Sequence, residues 1–448
     1  MRPASDTIFA LSSGHGRAGV AVVRVSGPAV GVALDRMAGP RPPPRHAAFR
    51  KVRHPGSGEV LDEALVLWFP GPKSETGEDM AELHVHGGRA VIAGVLAALG
   101  SIEGCRLAEP GEFARRAFEN GKIDLTAAEA IADLVDAETE AQRRQALRQA
   151  GGALARLYDG WRTELIRAQA LTESGIDFSE EADVSATACE GAREIVAALV
   201  PQVRQHLDDG RRGEILREGL HVAIAGPPNV GKSSLLNAFV QREAAIVSDE
   251  AGTTRDIIEV TLDLGGVPVI LSDTAGIREA EGKVEREGIR RAIVRAREAD
   301  LVLWLMDASE PQPAPPAGLA GSGSDLLWVL NKIDLLGEDC AHPVLERGWF
   351  RLSALTGEGL PALVETIARK AAARAGESEV PAITQARHRQ QIEACEEALE
   401  AYLAGAPGDL ELRADDLRRA ATALGRITGR VDVEDVLGEI FSRFCIGK

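Results

Sequence analysis

The sequence lacks the features that mark an exported or membrane protein. No stretch approaches the ~20 consecutive apolar residues of a spanning helix, and the first residues lack a basic region followed by an apolar one. The five cysteines lie far apart without a CxxC pair, so they indicate neither a disulfide framework nor a zinc site. We therefore expect a cytoplasmic protein with no membrane span.

Positive charge is also scarce. The chain has 51 Lys and Arg against 68 Asp and Glu, which gives a formal net charge of −17. Affinity for nucleic-acid phosphates comes from clustered Lys and Arg, so this balance argues against a large basic surface. If RNA is the substrate, we expect a partner protein to supply much of the binding affinity.

Changes of residue pattern divide the chain, which at 448 residues is too long for one ordinary core. Residues 1–118 mix short strand-like runs with turns, which predicts an α+β domain. Residues 119–216 and 377–448 have helical spacing, whereas strands and helices alternate in 217–376, as in a mostly parallel sheet covered on both faces. We predict a multidomain α+β and α/β protein whose α/β domain is inserted into a discontinuous helical domain.

A phosphate-binding loop is indicated between a predicted strand and a predicted helix. Gly226 to Ser233 fits the pattern G-x-x-x-x-G-K-S/T in that context. The loop amides cradle phosphates, Lys232 adds a positive charge to the β and γ phosphates, and the Ser233 hydroxyl can bind Mg²⁺. The residues expected to contact the nucleotide here are Asn229, Val230, Gly231, Lys232, Ser233 and Ser234.

A second motif, Asp273-Thr274-Ala275-Gly276, follows the next predicted strand and places an acid beside the phosphates. Asp273 would hold Mg²⁺ through water. The motif alone is weak, because Asp-x-x-Gly also makes ordinary turns, and its spacing after the loop is what favours it. Thr254, between the two motifs, is the expected second hydroxyl ligand of Mg²⁺. Ile277 stands where many small GTPases carry a water-orienting Gln, so the attacking water must be positioned otherwise.

A third motif, Asn331-Lys332-Ile333-Asp334, predicts the choice of base. The Asp334 carboxylate can accept from both N1–H and the 2-amino group of guanine. Adenine has neither donor, so we expect ATP to be discriminated against by a factor on the order of 10⁴ or more. Ser353-Ala354-Leu355 would supply backbone contacts to the guanine O6. Alone, the third motif could be a loop with a helix cap; together the motifs predict a GTPase rather than an ATPase.

These motifs resemble the branch of GTPases that includes TrmE, Era, EngA and the septins. The runs that carry this likeness are 228–237, 249–256 and 273–279. Further runs at 6–8, 16–20, 76–79, 86–88, 110–118 and 444–448 resemble the tRNA-modification GTPase MnmE (TrmE) family, so the similarity extends over essentially the whole chain.

The resemblance implies a homodimer that acts with an FAD-dependent MnmG (GidA)-type partner on C5 of the wobble uridine of certain tRNAs. The N-terminal domain would bind a 5-formyl-tetrahydrofolate-type one-carbon carrier near the dimer interface. The folate contacts that the resemblance implies are Arg24, Glu82, Lys122 and Lys448. A carboxylate such as Glu82 suits the amidine edge of a pterin. The alternative for Arg24 is an outward-facing strand residue.

The resemblance also implies K⁺ in place of an arginine finger. Its expected ligands are Asn229, Ser248, Glu250 and Thr253. Glu285 matches the glutamate that orients the attacking water, and its alternative is a solvated helix charge. Cys445 is a candidate for covalent chemistry, and its alternative is a packed small residue that holds the tail.

Two further hypotheses share these motifs. An Era-like ribosome-assembly GTPase would bind RNA through a basic module after the nucleotide domain, whereas the segment after residue 376 is helical and acidic in patches, as at 393–400. A folate-dependent one-carbon transferase with a regulatory GTPase differs from the main hypothesis only if activity survives without the flavoprotein partner.

Overall fold

The protein is described by a computed structural model. It covers residues 6–14, 16–177, 182–242, 245–246, 259–273, 298–309, 325–336, 349–376, 381–406, 408–431, 434–442, 444 and 446–447. Within these ranges, no helix combines the length and the apolar character that crossing a bilayer demands. The chain divides into two compact units. The first contains Met1–Ala132, Gln149–Ser179 and Leu410–Lys448, and the second contains Asp133–Arg148 and Glu180–Asp409.

Helices and strands follow the predicted division into α+β, helical and α/β segments. The helices of the described chain are α1 (Val30–Ala38), α2 (Arg89–Gly100), α3 (Glu112–Glu119), α4 (Leu125–Val135), α5 (Glu140–Ala150), α6 (Ala153–Asp177), α7 (Ala182–Leu207), α8 (Arg212–Glu218), α9 (Lys232–Arg242), α10 (Leu360–Ala375), α11 (Ala386–Ala404), α12 (Leu410–Thr428) and α13 (Glu434–Ser442). The predicted fold class is thereby confirmed. The domain boundaries at 118, 216 and 376 stay a prediction, because the two units are a different and coarser division.

The first unit is built on a six-stranded sheet. Its strands are β1 (Thr7–Leu11), β2 (Ala18–Ser26), β3 (Ala48–Arg53), β4 (Val60–Phe69), β5 (Met80–Gly87) and β6 (Cys105–Leu107). The order is β3-β4-β5-β2-β1-β6, so β3 is an edge strand. Neighbours are antiparallel except β1 and β6, which are parallel.

The two faces of this sheet differ in their cover. Alternate residues such as Val23, Val25 and Leu83 are buried against α1 and α2 on one face, as period-two burial requires. The other face has a small apolar cluster that includes Met80 and Phe113 at one end. Polar side chains occupy much of the rest of that face, which we call the second face.

A buried arginine ties three of the resembling runs together. Arg116 of α3 is only 3% exposed, and its guanidinium pairs with Asp6 at 3.0 Å, Glu78 at 3.2 Å and Glu112 at 3.0 Å. A buried charge is tolerated only when it is paired and hydrogen-bonded, and here three carboxylates share that role. The runs at 6–8, 76–79 and 110–118 therefore meet in one ion-paired cluster that fixes α3 beside β1.

Helices complete the first unit. The Asp124 carboxylate caps α4 by accepting from the N–H groups of Thr126 at 2.8 Å and Ala127 at 3.1 Å. The long helix α6 packs along α12, and α13 packs against α3. Buried residues on these helices recur at helical spacing, as the sequence predicted.

The second unit contains a seven-stranded sheet. Its strands are β7 (Leu220–Ala225), β8 (Ala245–Ile246), β9 (Glu259–Leu264), β10 (Val267–Asp273), β11 (Leu301–Asp307), β12 (Asp325–Asn331) and β13 (Trp349–Arg351). The order is β13-β12-β11-β7-β10-β9-β8. The strands from β13 to β10 are parallel, and β9 is antiparallel to both β10 and β8.

The centre of this sheet is buried on both faces. Residues 301, 303 and 305 of β11 pack in one cluster with α9 and α10, and residues 302, 304 and 306 pack in another. A strand that is buried on both sides reads as a continuous apolar run, which explains the sequence of β11. In such sheets ligands bind at the carboxyl ends of the strands, where the predicted motifs lie.

Candidate nucleotide and folate sites

The phosphate loop connects β7 to α9 with a backbone that only glycine accommodates. Gly226 and Gly231 have φ of +154° and +94°. A Cβ added to Gly226 would clash with the Leu305 carbonyl oxygen, and one added to Gly231 would clash with Asn331 Nδ2. Asn229 adopts φ 63°, a left-handed conformation that Asn tolerates. The loop therefore turns sharply enough for its amides to approach a phosphate closely.

Lys232 and Ser233 begin the helix that follows the loop. Lys232 is 9% exposed, and its Nζ donates to the carbonyls of Gly226 at 3.1 Å and Pro227 at 2.8 Å. The ammonium group thus lies across the loop, at the positive end of α9, where anions are favoured. Ser233 is exposed on the first turn, and its hydroxyl is an oxygen donor of the kind that Mg²⁺ binds. These residues fit a Mg²⁺-nucleotide.

Asp273 lies beside this loop, as its motif predicts. It ends β10, and the parallel register pairs Asp273 with Ile224 and Ser272 with Ala223. Its backbone is therefore next to the strand that leads into Gly226. This backbone placement agrees with the spacing argument, and the role of Asp273 in holding Mg²⁺ stays a prediction.

Asn331 links the phosphate loop to the predicted base-binding segment. Its side chain is 2% exposed; Nδ2 donates to the Val230 carbonyl at 2.7 Å, and Oδ1 accepts from the Ala354 N–H at 2.9 Å. Both of these contacts are to backbone groups of the protein. Asn331 thus positions the two loops relative to each other, a role that the motif did not reveal.

Lys332 and Asp334 lie at the same end of the sheet. Lys332 adopts φ 67°, and its Nζ lies 2.7 Å from Asp307 Oδ2. Burial raises the pKa of the Asp307 carboxyl, but its bonds to Lys332 and Ser309 prevail and hold that pKa below its ordinary value. The Asp334 side chain is exposed, where an incoming base can reach it. Asp307 was not predicted, although its place at the end of β11 was a usable signal.

The Ser353-Ala354-Leu355 segment lies close to the third motif. The Leu352 N–H donates to the Leu330 carbonyl at 2.9 Å, and the Ile333 N–H donates to the Leu352 carbonyl at 3.3 Å. Ser353 is fully buried and Leu355 is 85% exposed. The structure therefore brings the Asn-Lys-Ile-Asp motif and the Ser-Ala-Leu segment, which together make up the predicted guanine site, close to each other.

Arg24 and Glu82 are directly opposite each other on the second face of the first unit's sheet. Arg24 Nη2 lies 3.2 Å from Glu82 Oε1, and Nη1 lies 2.9 Å from Glu75. The guanidinium also lies over the Phe113 ring, 5.8 Å from its centroid. With its side chain 17% exposed, Arg24 is an ion-paired residue of this face rather than one that extends into solvent.

Two contacts extend this polar group. His84 Nε2 lies 3.1 Å from Glu82 Oε2, and Lys122 Nζ donates to the Pro72 carbonyl at 2.9 Å. The loop between β4 and β5 therefore makes two contacts: its Glu75 pairs with Arg24, and its Pro72 accepts from Lys122. The sequence did not predict that His84 and Glu75 contact Glu82 and Arg24. The period-two alternation of β5 was a usable signal for His84, because it places His84 on the same face as Glu82.

Several predicted residues lie outside the described residues. These are Ser248, Glu250, Thr253, Thr254, Thr274, Ala275, Gly276, Glu285, Cys445 and Lys448, together with the side chain of Asp273. Elsewhere, in the described ranges, no group of three His, Cys, Asp or Glu side chains could hold a metal ion. The predicted Mg²⁺ and K⁺ sites do not require such a group, because their expected ligands are hydroxyl, amide and carbonyl oxygens.

A phosphate loop after the central strand, an acid at the end of the neighbouring strand and an Asn-Lys-x-Asp segment define a P-loop GTPase. Residues 125–445 match the MnmE helical domain, and residues 7–122 match the N-terminus of the GTP-binding protein TrmE. The chain belongs to the tRNA modification GTPase MnmE family.

The chain is also similar in sequence to curated relatives over nearly the full length of both proteins. The chain is 53% identical over 452 residues to the tRNA modification GTPase MnmE of Parvibaculum lavamentivorans, covering 99% of this chain and 100% of that protein. It is 52% identical over 459 residues to the protein of the same name from Rhodospirillum rubrum, covering 99% of each. It is also 53% identical over 449 residues to the one from Maricaulis maris, covering 99% of this chain and 100% of that protein.

Proposed function

We propose that this GTPase is Mg²⁺-dependent and K⁺-activated and acts in the cytoplasm as a homodimer. With an FAD-dependent MnmG-type partner, it modifies C5 of the wobble uridine of certain tRNAs from a tetrahydrofolate one-carbon donor. Family membership favours this function over the Era-like alternative. Glu285 as the water-orienting residue and Cys445 as a covalent catalyst stay predictions.

One observation carries the nucleotide half of the proposal. The Asn331 side chain joins Val230 of the phosphate loop to Ala354 of the base-binding segment. With the base bound at Ala354 as proposed, this link would couple recognition of the base to the placement of the phosphate cradle.

The whole proposal is tested by mass analysis of wobble uridines. In tRNA from cells that lack this protein, the C5-modified wobble uridine should be replaced by its precursor, and re-expression should restore it. Unchanged wobble uridines in those cells would refute the proposed function.

The folate half of the proposal depends on the second face. The pterin ring presents an N3–H and a 2-amino group as neighbouring donors, which a carboxylate can accept together. The Glu82 oxygens already contact Arg24 and His84. Each carboxylate oxygen has about two lone pairs, so both can accept a further donor. The contacts fix the orientation of the carboxylate before a ligand binds.

The Glu82→Ala variant should therefore weaken binding of 5-formyl-tetrahydrofolate by at least roughly tenfold, because a charge-assisted bidentate contact is lost. Affinity for GTP should not change. Calorimetric titration of the full-length protein measures both affinities. Glu119→Ala is the matched control, because Glu119 is also a carboxylate paired with an arginine in the first unit. Parental folate affinity in Glu82→Ala would remove Glu82 from the site.

Asn229 is the described residue on which the K⁺ proposal depends. No Gln follows Gly276, yet the transition state needs positive charge near the bridging oxygen. Asn229 lies in the phosphate loop at φ 63° and offers an amide oxygen. A cage of oxygens at longer distances suits K⁺ better than Na⁺, because K⁺ holds its hydration shell more loosely.

GTP hydrolysis should rise at least roughly tenfold when K⁺ replaces Na⁺ at equal ionic strength, a barrier change of ~1.4 kcal/mol. Asn229→Ala should abolish the stimulation and leave GTP binding largely intact. Single-turnover hydrolysis measures the rate, and light scattering follows dimerisation of the α/β nucleotide domain in parallel. Asn237→Ala, an exposed asparagine of α9, is the control. Equal parental rates in K⁺ and Na⁺ would exclude a charge supplied by the cation.

A further inference from the structure

Basic residues are concentrated in one short segment of this acidic chain. Residues 36–58 contain six Lys and Arg and no Asp or Glu, whereas the whole chain has a net charge of −17. We name these six cations the basic edge: Arg36, Arg41, Arg45, Arg50, Lys51 and Arg53. A local excess of this size creates a positive field that the net charge conceals.

The fold places these cations around the edge of the first unit's sheet that β3 forms among the described strands. Arg36 is in the last turn of α1, Arg41 and Arg45 lie in the following loop, and the other three are on the edge strand β3. All except Arg50 are exposed. Among the described carboxylates, only two pair with this group: Asp35 with Arg41 at 3.1 Å and Glu63 with Lys51 at 3.4 Å.

Contacts along the sheet hold two of these side chains in place. The Arg41 guanidinium lies 5.7 Å from the centroid of the Trp68 ring, and that of Arg45 lies 5.5 Å from the centroid of the Phe69 ring. Arg45 also donates to the Lys73 carbonyl. Since their stems are already ordered, these cations lose less conformational entropy when they bind an anion.

An exposed aromatic residue lies among the cations. Phe49 is 64% exposed on β3, two residues from Lys51, and the register pairs Phe49 with Leu65 and Leu65 with His84. Phe49 therefore faces the same side of the sheet as Glu82, roughly 10 Å from His84 across two strand spacings. Cations beside an exposed aromatic ring are the features that hold single-stranded nucleic acid by phosphate contact and base stacking.

We propose that the basic edge binds the phosphate backbone of a tRNA loop and that Phe49 stacks on an unpaired base of that loop. This inference rests on the proposed function, because it takes tRNA as the substrate. It also brings the loop to the sheet face where the folate carrier would bind. The net charge led us to expect that a partner protein supplies much of the affinity for RNA. The basic edge would add a contribution from this chain.

Two alternative roles for the cations fit less well. Lys and Arg on an edge strand prevent edge-to-edge pairing, but Arg36, Arg41 and Arg45 are not on the strand. Self-association of this surface about a two-fold axis would bring identical cations together, which is repulsive. A polyanion such as RNA is the partner with complementary charge.

Binding of an anticodon stem-loop to the full-length protein tests the inference. Fluorescence anisotropy gives the affinity across salt concentrations from roughly 50 to 200 mM. The first variant is Arg45→Gln, Lys51→Gln and Arg53→Gln combined. Its control combines Arg167→Gln, Arg418→Gln and Arg419→Gln, exposed arginines of α6 and α12 whose loss changes the net charge equally. Thermal unfolding establishes that each variant is folded.

The basic-edge variant should flatten the slope of log affinity against log salt by about 2, since each lost phosphate contact removes ~0.7. At the lowest salt its affinity should fall at least roughly tenfold, and the control should keep the parental slope. Phe49→Ala should weaken binding several-fold at every salt concentration without changing the slope, because stacking releases few counterions.

Four outcomes would refute the inference or separate it from the proposed function. Equal slopes for the two triple variants would refute it. Lost self-association in light scattering, with parental RNA affinity, would make the basic edge a protein-docking surface instead. No stem-loop binding by the parent, while wobble uridines depend on the protein, would refute this surface and leave the proposed function intact. Salt-dependent binding with unaltered wobble uridines in cells lacking the protein would support the surface and refute the proposed function.

Discussion

Replacing Asp334 by Asn should change the preferred base from guanine to xanthine. The change puts an amide donor where the 2-amino group of guanine also donates, so GTP loses a charged acceptor and meets a clashing donor. Xanthine has a carbonyl oxygen at that position and can accept from the new amide. A bound base would cover this side chain, and mispaired polar groups that are shielded from water discriminate strongly. We therefore expect affinity for GTP to fall by a factor on the order of 10³ or more, with a gain for xanthosine triphosphate.

Competition binding with the two nucleotides measures this reversal. Glu365→Gln is the control, because it also converts an exposed carboxylate to an amide in the second unit, on α10. The control should retain the parental preference for GTP. Parental GTP affinity in Asp334→Asn would show that another residue reads the base.

Replacing Gly231 by Ala should disrupt the phosphate cradle. The added Cβ would clash with Asn331 Nδ2, at a backbone φ of +94° that alanine adopts poorly. Either the loop or the Asn331 side chain must move, and the bond from Nδ2 to the Val230 carbonyl would break. Because that side chain also holds Ala354, we expect GTP affinity to fall by roughly a hundredfold or more, which is about 2.7 kcal/mol.

Gly265→Ala separates the clash from the backbone strain. Gly265 has φ +70°, and its added Cβ would meet nothing within 4 Å. The control should lose about 1–2 kcal/mol of stability to the left-handed conformation and bind GTP normally. Nucleotide titration and thermal unfolding of both variants make the comparison. Normal GTP affinity in Gly231→Ala would mean that the close approach to Asn331 is not needed for the site.

The sequence predicted the elements of the nucleotide domain well because local and global signals agree there. The strands β7, β10 and β12 are largely apolar runs that lead into a motif, and motif residues with fixed backbone demands occupy the turns. Family resemblance then added Arg24 and Glu82, which the structure places directly opposite each other. Their role in folate binding stays a prediction.

Pairings between distant residues could not be predicted from the sequence. Asn331 and Val230 are 101 positions apart, and nothing local to either indicates that one holds the other. Likewise, the ion pairs of Arg116 join three separated runs, and the link between Glu82 and His84 becomes visible only once β5 has a known face. Such contacts depend on how chain segments return to one another, which residue type and spacing do not specify.

What the sequence determined by itself is therefore the set of nucleotide-binding motifs: the glycines, Lys232 and Asp334 are the residue types that phosphates and a guanine base would require at that spacing, and their contacts stay predictions. Tertiary structure alone decided which groups share a surface. The order of the first sheet makes β3 an edge, and only that order turns a run of six cations in an acidic chain into an exposed surface beside Phe49. The physical reason is that strand order is set by long-range packing and hydrogen bonding, whereas a motif is set by the local geometry of its ligand.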